Sequence, residues 1–304
     1  MLATRILALL LPCAAALSFA ADISTTYSDY YPIGDDGLIN IRSHCTALPL
    51  ADVWFYHPHA NEVTAYQATL AELAAQGRGC LLALEHTGGR YIHFNSQGKP
   101  TRLDPNRIYT ARGREATLTQ GGNLSISAVQ ATYAFSEHLL TRYLNHADFI
   151  VAVHNNTNGA TDIHSYRHGM LGNDIAQVFA SPNRDPDDYI FTTNAQAFAF
   201  FQARDFNVVL QDNLHVRDDG SLSVYAARHQ IGYINIEAEH GHEAEQREML
   251  QAAFEYIYSG QWRWADIFKR HDNKYQVFRY AQRLPNLNLR LPENKPQQNE
   301  FIFR

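Results

Sequence analysis

The chain has 304 residues, 45% of them hydrophobic and 18% charged, with a formal net charge of −6. That length and composition suit a globular protein with one large α/β domain or two small ones. The acidic balance gives no basic footprint for nucleic acid, and low-complexity tracts and fixed-period repeats are absent.

The first 20 residues read as a secretory signal peptide. Arg5 supplies positive charge, Ile6 to Leu17 is apolar, and Ser18-Phe19-Ala20 carries small residues at both cleavage positions. The expected mature start is Ala21, and the expected location is periplasmic or secreted. Leu11-Pro12-Cys13 is a poor lipidation site because Pro precedes the Cys. No later apolar run is long enough to span a bilayer. Cys45 and Cys80 then remain. An exported compartment permits a disulfide between them; the alternative is two buried thiols.

Residues 22–50 are polar and turn-rich, with a short candidate strand at Leu38–Arg42. A strand over 52–57, a helix over 61–75 and a strand over 80–86 follow, with Gly77 to Gly79 as a helix stop. This strand, helix, strand order predicts a βαβ unit in a partly parallel sheet. Tyr91–Phe94 and Lys99–Leu103 flank Asn95-Ser96-Gln97-Gly98 as a hairpin. Residues 111–123 read as loop, and Leu124–Leu144 as an amphipathic helix. Phe149-Ile150-Val151-Ala152-Val153 reads as a strand buried on both faces.

A long loop over 155–188 is expected next, then helix 194–204 and strand 206–210. Strands at Ser221–Ala227 and Gly232–Ala238 and helix 243–258 complete the domain, which is expected to span 21–261. The segment 262–304 holds nine Lys/Arg against four Asp/Glu and three prolines. It reads as an extended tail packed on the domain, with binding to an anionic cell wall as the weaker alternative.

Three stretches carry chemistry. In Val53-Trp54-Phe55-Tyr56-His57-Pro58-His59-Ala60-Asn61-Glu62, an apolar strand breaks at Pro58 and delivers His59-x-x-Glu62 where a helix starts. An imidazole and a carboxylate on one side of a first turn can hold zinc, and His154 at the end of the buried strand is a third candidate. Each has a plainer reading, as a surface His, a first-turn Glu and a loop-bonded strand-end His. Two nitrogens and one carboxylate leave a fourth position open, as in catalytic sites. In Asp104-Pro105-Asn106-Arg107, an amide and a guanidinium side by side suit a carboxylate; a turn with a surface Arg is the alternative. In Tyr233-Ile234-Asn235-Ile236-Glu237-Ala238-Glu239, two acids share one face of an apolar strand.

Taken in order, His-x-x-Glu, Asn-Arg, strand-end His and strand Glu resemble the zinc carboxypeptidase (carboxypeptidase A-like) superfamily, with its succinylglutamate desuccinylase and aspartoacylase branch, over roughly residues 50–260. The resemblance implies a mixed, mostly parallel sheet of about eight strands with helices on both faces. It implies one zinc on His59, Glu62 and His154, a substrate carboxylate held by Asn106 and Arg107, and Glu237 as the base that activates water. Glu239 is the alternative base. Arg90 is the candidate for stabilising the oxyanion. His164, in His164-Ser165-Tyr166, ranks second as third ligand because no apolar strand leads into it.

The expected function is therefore an exported zinc metallohydrolase. It would cleave a peptide or acylated amino acid bearing a free carboxylate, and peptidoglycan is the substrate an exported chain would meet. Two rivals remain: a non-catalytic carboxylate or peptide binder, and a wall endopeptidase with a metal site at His240 and His242. The second fits poorly. His154 and Asp162 stand one residue too far apart for one such motif, and the histidines from His44 to His154 lack Asp at the fourth following position for the other.

Overall fold

The computed structural model describes residues 23–48, 52–87 and 89–262; the expected signal peptide, Cys13 and residues 263–304 of the expected tail lie outside them. The chain divides into two compact units, Met1–Tyr258 and Ser259–Arg304. The fold that follows is that of the first.

The chain opens with a hairpin of β1 (Ile23–Ile33) and β2 (Gly37–Thr46). β3 (Val53–His57), α1 (Val63–Gln76) and β4 (Cys80–Glu85) form the expected βαβ unit. Gly77 ends α1 in a left-handed conformation and donates its N–H to the Leu73 carbonyl. A separate hairpin of β5 (Ile92–Ser96) and β6 (Lys99–Leu103) follows, then a 3₁₀ turn over Pro105–Arg107. Next come α2 (Ala111–Gln120), α3 (Ile126–Arg142) and β7 (Phe149–Asn156). After them lie α4 (Gly169–Gly172), β8 (Ile175–Phe179), β9 (Tyr189–Thr192), α5 (Ala195–Gln202) and β10 (Val208–Gln211). The unit closes with α6 (Leu222–Arg228), β11 (Gly232–Glu239) and α7 (Glu243–Ser259).

Nine strands form one mixed sheet in the order β1-β2-β4-β3-β7-β11-β9-β10-β8. Its centre, β4-β3-β7-β11, is parallel, as is the β9–β10 pair, while the flanks pair antiparallel. Parallel pairing thus covers half of the strand contacts rather than most of them. Period-two alternation sends successive side chains to opposite faces. Tyr56, Ile150, Ala152 and Tyr233 pack in one cluster with Leu139 and Leu140 of α3 and Leu222 of α6. On the other face Phe55 and Phe149 stack against Phe254 and Tyr256 of α7. Helices therefore cover both faces, as expected.

Several expectations need correction. Within the 22–50 stretch, residues 23–46 form a two-stranded hairpin rather than mainly turns. Residues 111–123 hold α2, capped by Thr110, whose hydroxyl accepts the Gly113 N–H. Ser221–Ala227 is a helix start rather than a strand, with the Ser221 hydroxyl accepting the Val224 N–H. The 155–188 loop contains α4 and β8. Cys45 and Cys80, opposite each other on β2 and β4, form the disulfide. No helix among the described residues is long and apolar enough to cross a membrane.

Candidate metal centre

The parallel strands β3, β7 and β11 end on the same side of the sheet, the place where open α/β sheets gather ligands. β3 stops at His57, Pro58 breaks it, and the chain turns with the Glu62 N–H donating to the His59 carbonyl. His57 Nε2 donates to the Glu62 carbonyl at 2.9 Å and fastens that turn. His59 and Glu62 lie in the turn itself, with α1 starting one residue later. Both are buried, at 0% and 1% exposure, and His154 near the end of β7 is buried at 2%.

These three side chains converge. His59 Nδ1 and His154 Nδ1 stand 2.7 and 2.8 Å from the two Glu62 carboxylate oxygens and 3.1 Å from each other. The far side of His59 decides which nitrogen faces inward. Its Nε2 lies 2.9 Å from Asp104 Oδ1, an acceptor, so Asp104 holds the Nε2 proton and a neutral ring would present its Nδ1 lone pair to the centre. Asp104 is itself held. Its N–H donates to Thr117 Oγ1, its Oδ1 accepts the Asn106 N–H, and its Oδ2 accepts from Arg90 at 3.0 Å.

The electrostatics follow from burial against close charge. Burial alone would lower the His59 pKa, but the Glu62 and Asp104 carboxylates reverse this and raise it. Burial would raise Glu62, yet His154 and His59 hold it well below the ordinary glutamate value. Asp104 is depressed likewise, by His59 and Arg90 against its burial. Two imidazole nitrogens and an ionised carboxylate, buried and converging with one tautomer fixed by a carboxylate behind it, match the donor set of a zinc site. His154 Nε2 is buried and finds no hydrogen-bond partner among the described residues.

A cavity opens beside this centre, lined by His154, Arg90, Asn106, Arg107 and Glu237 among others. Glu237 is the direct β11 partner of His154 on β7. Its Oε1 accepts from Asn235 Nδ2 at 3.0 Å. Burial raises its pKa by more than the nearby His154 offsets, and the Glu62 charge adds to the rise. Arg107 donates to the Asn106 carbonyl and stands 3.6 Å from Asp219. Arg90 spans Glu62, at 3.3 Å, and Asp104.

The structure thus brings together His59, Glu62, His154, Glu237, Asn106, Arg107 and Arg90. It leaves the other candidates out. Glu239 accepts from Asn158 and is absent from the cavity lining. His164 is exposed in the 3₁₀ turn Ile163–Tyr166, although Tyr166 of the same turn reaches the cavity. His242 pairs with Asp188 and neighbours Glu239, and it belongs to two part-exposed acidic groups that do not include His240. Two contributors were not singled out from sequence. Asp104 is two residues before Asn106, and that spacing was its signal. Asp219 lies in a polar loop with no signal of its own.

No family model matches the chain, and no curated protein matches it. Solved structures do, at low identity. Succinylglutamate desuccinylase from Chromobacterium violaceum is 14% identical over 76% of this chain and 69% of its own, with a TM-score of 0.43. Murein-tripeptide amidase from Escherichia coli O157 is 12% identical over 78% and 94%, with a TM-score of 0.40. An aspartoacylase family protein from Mesorhizobium loti is 15% identical over 76% and 68%, with a TM-score of 0.40. These structural matches are members of the zinc carboxypeptidase superfamily, the family that the sequence motifs resemble.

Proposed function

We propose that the chain is an exported zinc-dependent amide hydrolase of carboxypeptidase type, acting on a peptide or acylated amino acid with a free carboxylate. The observation that carries this reading is the buried His59, Glu62 and His154 donor set, backed by Asp104 and opening onto a cavity that holds Glu237 and Arg107. His59, Glu62 and His154 would hold the zinc, which would supply a Lewis acid and lower the pKa of a bound water to about 7.

The chain's own residues do the rest. Arg107 takes the substrate carboxylate with its planar fork, and Asn106 adds an amide donor. Glu237, made more basic by its burial, accepts a proton from the attacking water. The water oxygen bonds to the amide carbon. The carbon–nitrogen bond then breaks as Glu237 passes that proton to the leaving amine, so one proton moves and none is lost. Arg90 keeps Glu62 and Asp104 in place and offers positive charge to the carbonyl oxygen.

The Cys45–Cys80 disulfide supports an oxidising compartment, in keeping with the signal-peptide reading. In that compartment cell-wall peptides are the proposed substrates. The test is hydrolysis of N-blocked peptides by zinc-loaded protein, with and without a free terminal carboxylate. Cleavage of the free acid but not of its amide supports the reading. Equal rates on both remove the carboxypeptidase assignment. Carboxylate binding without turnover favours the non-catalytic binder.

A further inference from the structure

We infer that Asp188, His242 and Glu245 form a second divalent-cation site, weaker than the first, at the start of α7. It does not depend on the hydrolase reading and adds no catalytic step. β11 ends at Glu239, the chain turns with the His242 N–H donating to the Glu239 carbonyl, and α7 begins. His242-x-x-Glu245 thus repeats, at a second strand-to-helix junction, the spacing of His59-x-x-Glu62 between β3 and α1. The third group again comes from a neighbouring strand: Asp188 immediately precedes β9, the antiparallel partner of β11.

The geometry repeats as well. One ligand atom from each of Asp188, His242 and Glu245 lies within 4.8 Å of the others. His242 Nδ1 stands 3.0 and 3.2 Å from the two Asp188 carboxylate oxygens, and its Nε2 faces Glu239 Oε2 at 3.7 Å. Nδ1 is therefore the inward nitrogen, and Glu239 stands behind the ring as Asp104 stands behind His59. Asp188 is only 5% exposed, and its carboxylate also accepts the Glu239 N–H. Asp188, His242 and Glu245 line one cavity of about 290 Å³, with Asp185 beside them. The guanidinium in that lining does not neutralise them, because Arg184 is held by Glu248 at 2.9 Å to each oxygen. Among the described residues no Lys or Arg pairs with Asp185, Asp188 or Glu245. One imidazole nitrogen among carboxylate oxygens suits a divalent ion such as Mn²⁺. Partial exposure of His242 and full exposure of Glu245 make this site weaker than the buried one.

The test titrates Mn²⁺ into the full chain already loaded with one equivalent of zinc, and free Mn²⁺ is read by electron paramagnetic resonance. Mn²⁺ ranks below Zn²⁺ in affinity for a given site, so it does not displace zinc from His59, Glu62 and His154. One Mn²⁺ per chain is expected to bind and to raise the unfolding midpoint, since it binds only the folded chain. His242→Ala and Glu245→Gln are each expected to weaken that binding by more than about tenfold, at least the cost of losing an outer-sphere partner. Glu245 is exposed, so its variant keeps the fold even where a change at buried Asp188 does not, and circular dichroism checks this. If Glu245 serves only the helix dipole and Asp188 only holds His242, the wild type binds no Mn²⁺, which overturns the inference. Binding that survives undiminished in both folded variants places the ion elsewhere and overturns it too.

Discussion

At the scale of single residues, the division of labour between two glutamates on one strand is the sharpest question. Glu237 lies beside His154 and lines the cavity, whereas Glu239 is engaged by Asn158. A general base contributes ~10²–10⁴-fold in rate. Glu237→Gln should therefore keep fold and zinc and lose turnover by about that range, because the amide cannot take a proton as a carboxylate does. Glu239→Gln should lose far less. Steady-state rates of both, with zinc content measured in parallel, decide it; an inactive, zinc-replete Glu239→Gln would move the base two residues along β11. Asp104 gives a separate forecast. It touches no substrate in this account but fixes the His59 tautomer, and loss of such a partner weakens metal binding by about 10–100-fold. Asp104→Ala should show that loss in a competitive chelator titration. Arg107→Lys preserves charge but removes the fork, and should raise KM for free-acid substrates; an unchanged KM would take Arg107 out of carboxylate binding.

At the scale of elements, the Arg107 side of the cavity depends on two glycines. A Cβ at Gly113 on α2 would overlap the Gly220 backbone and the Arg107 carbonyl oxygen, and one at Gly220 would overlap the Gly113 Cα and the same carbonyl. Gly220 also has φ +80°, where other residues are strained. This close approach, with the Tyr109 N–H donating to the Gly220 carbonyl, sets the Arg107 turn against the loop that carries Asp219. Gly220→Ala should cost more than about 1 kcal/mol and disturb free-acid binding together with stability. Thermal unfolding and KM measured together check this, and a variant with native Tm and KM would contradict it. The same region shows why part of the fold was illegible from sequence. β3 and the first five residues of β7 are nearly continuous apolar runs, and β11 is an apolar strand interrupted by Asn235 and Glu237; all three were readable as strands with their His and Glu. α6 is a short run of mostly buried residues, and length and composition alone cannot separate such a helix from a strand. α2 buries little beyond Gly113, Thr117 and Leu118, so its sequence looks like loop. β1 is an edge strand with a mostly exposed, polar surface. The partnership of Asp104 with His59 spans 45 residues and exists only once the 3₁₀ turn has packed against β3's end.

At the scale of the whole molecule, the disulfide and the candidate metal centre lie at different parts of one sheet. Cys45 and Cys80 join β2 to β4 across 35 residues, a closure worth roughly 3–4 kcal/mol in the chain-entropy account. Reduction should therefore lower the unfolding midpoint, and the double variant Cys45→Ala/Cys80→Ala should behave like the reduced protein. Zinc on the His59, Glu62 and His154 set would tie β3's end to β7, and a ligand that binds only the folded chain stabilises it by mass action. Chelation should lower the midpoint further and abolish turnover. The most direct test of the account is elemental analysis of the purified full chain beside its His59→Ala and His154→Ala variants, with circular dichroism confirming the fold. One zinc per wild-type chain is expected, with a strong loss of zinc in each variant. Stoichiometric zinc retained in both folded variants, or a wild-type chain that binds no zinc when it is supplied, would contradict it.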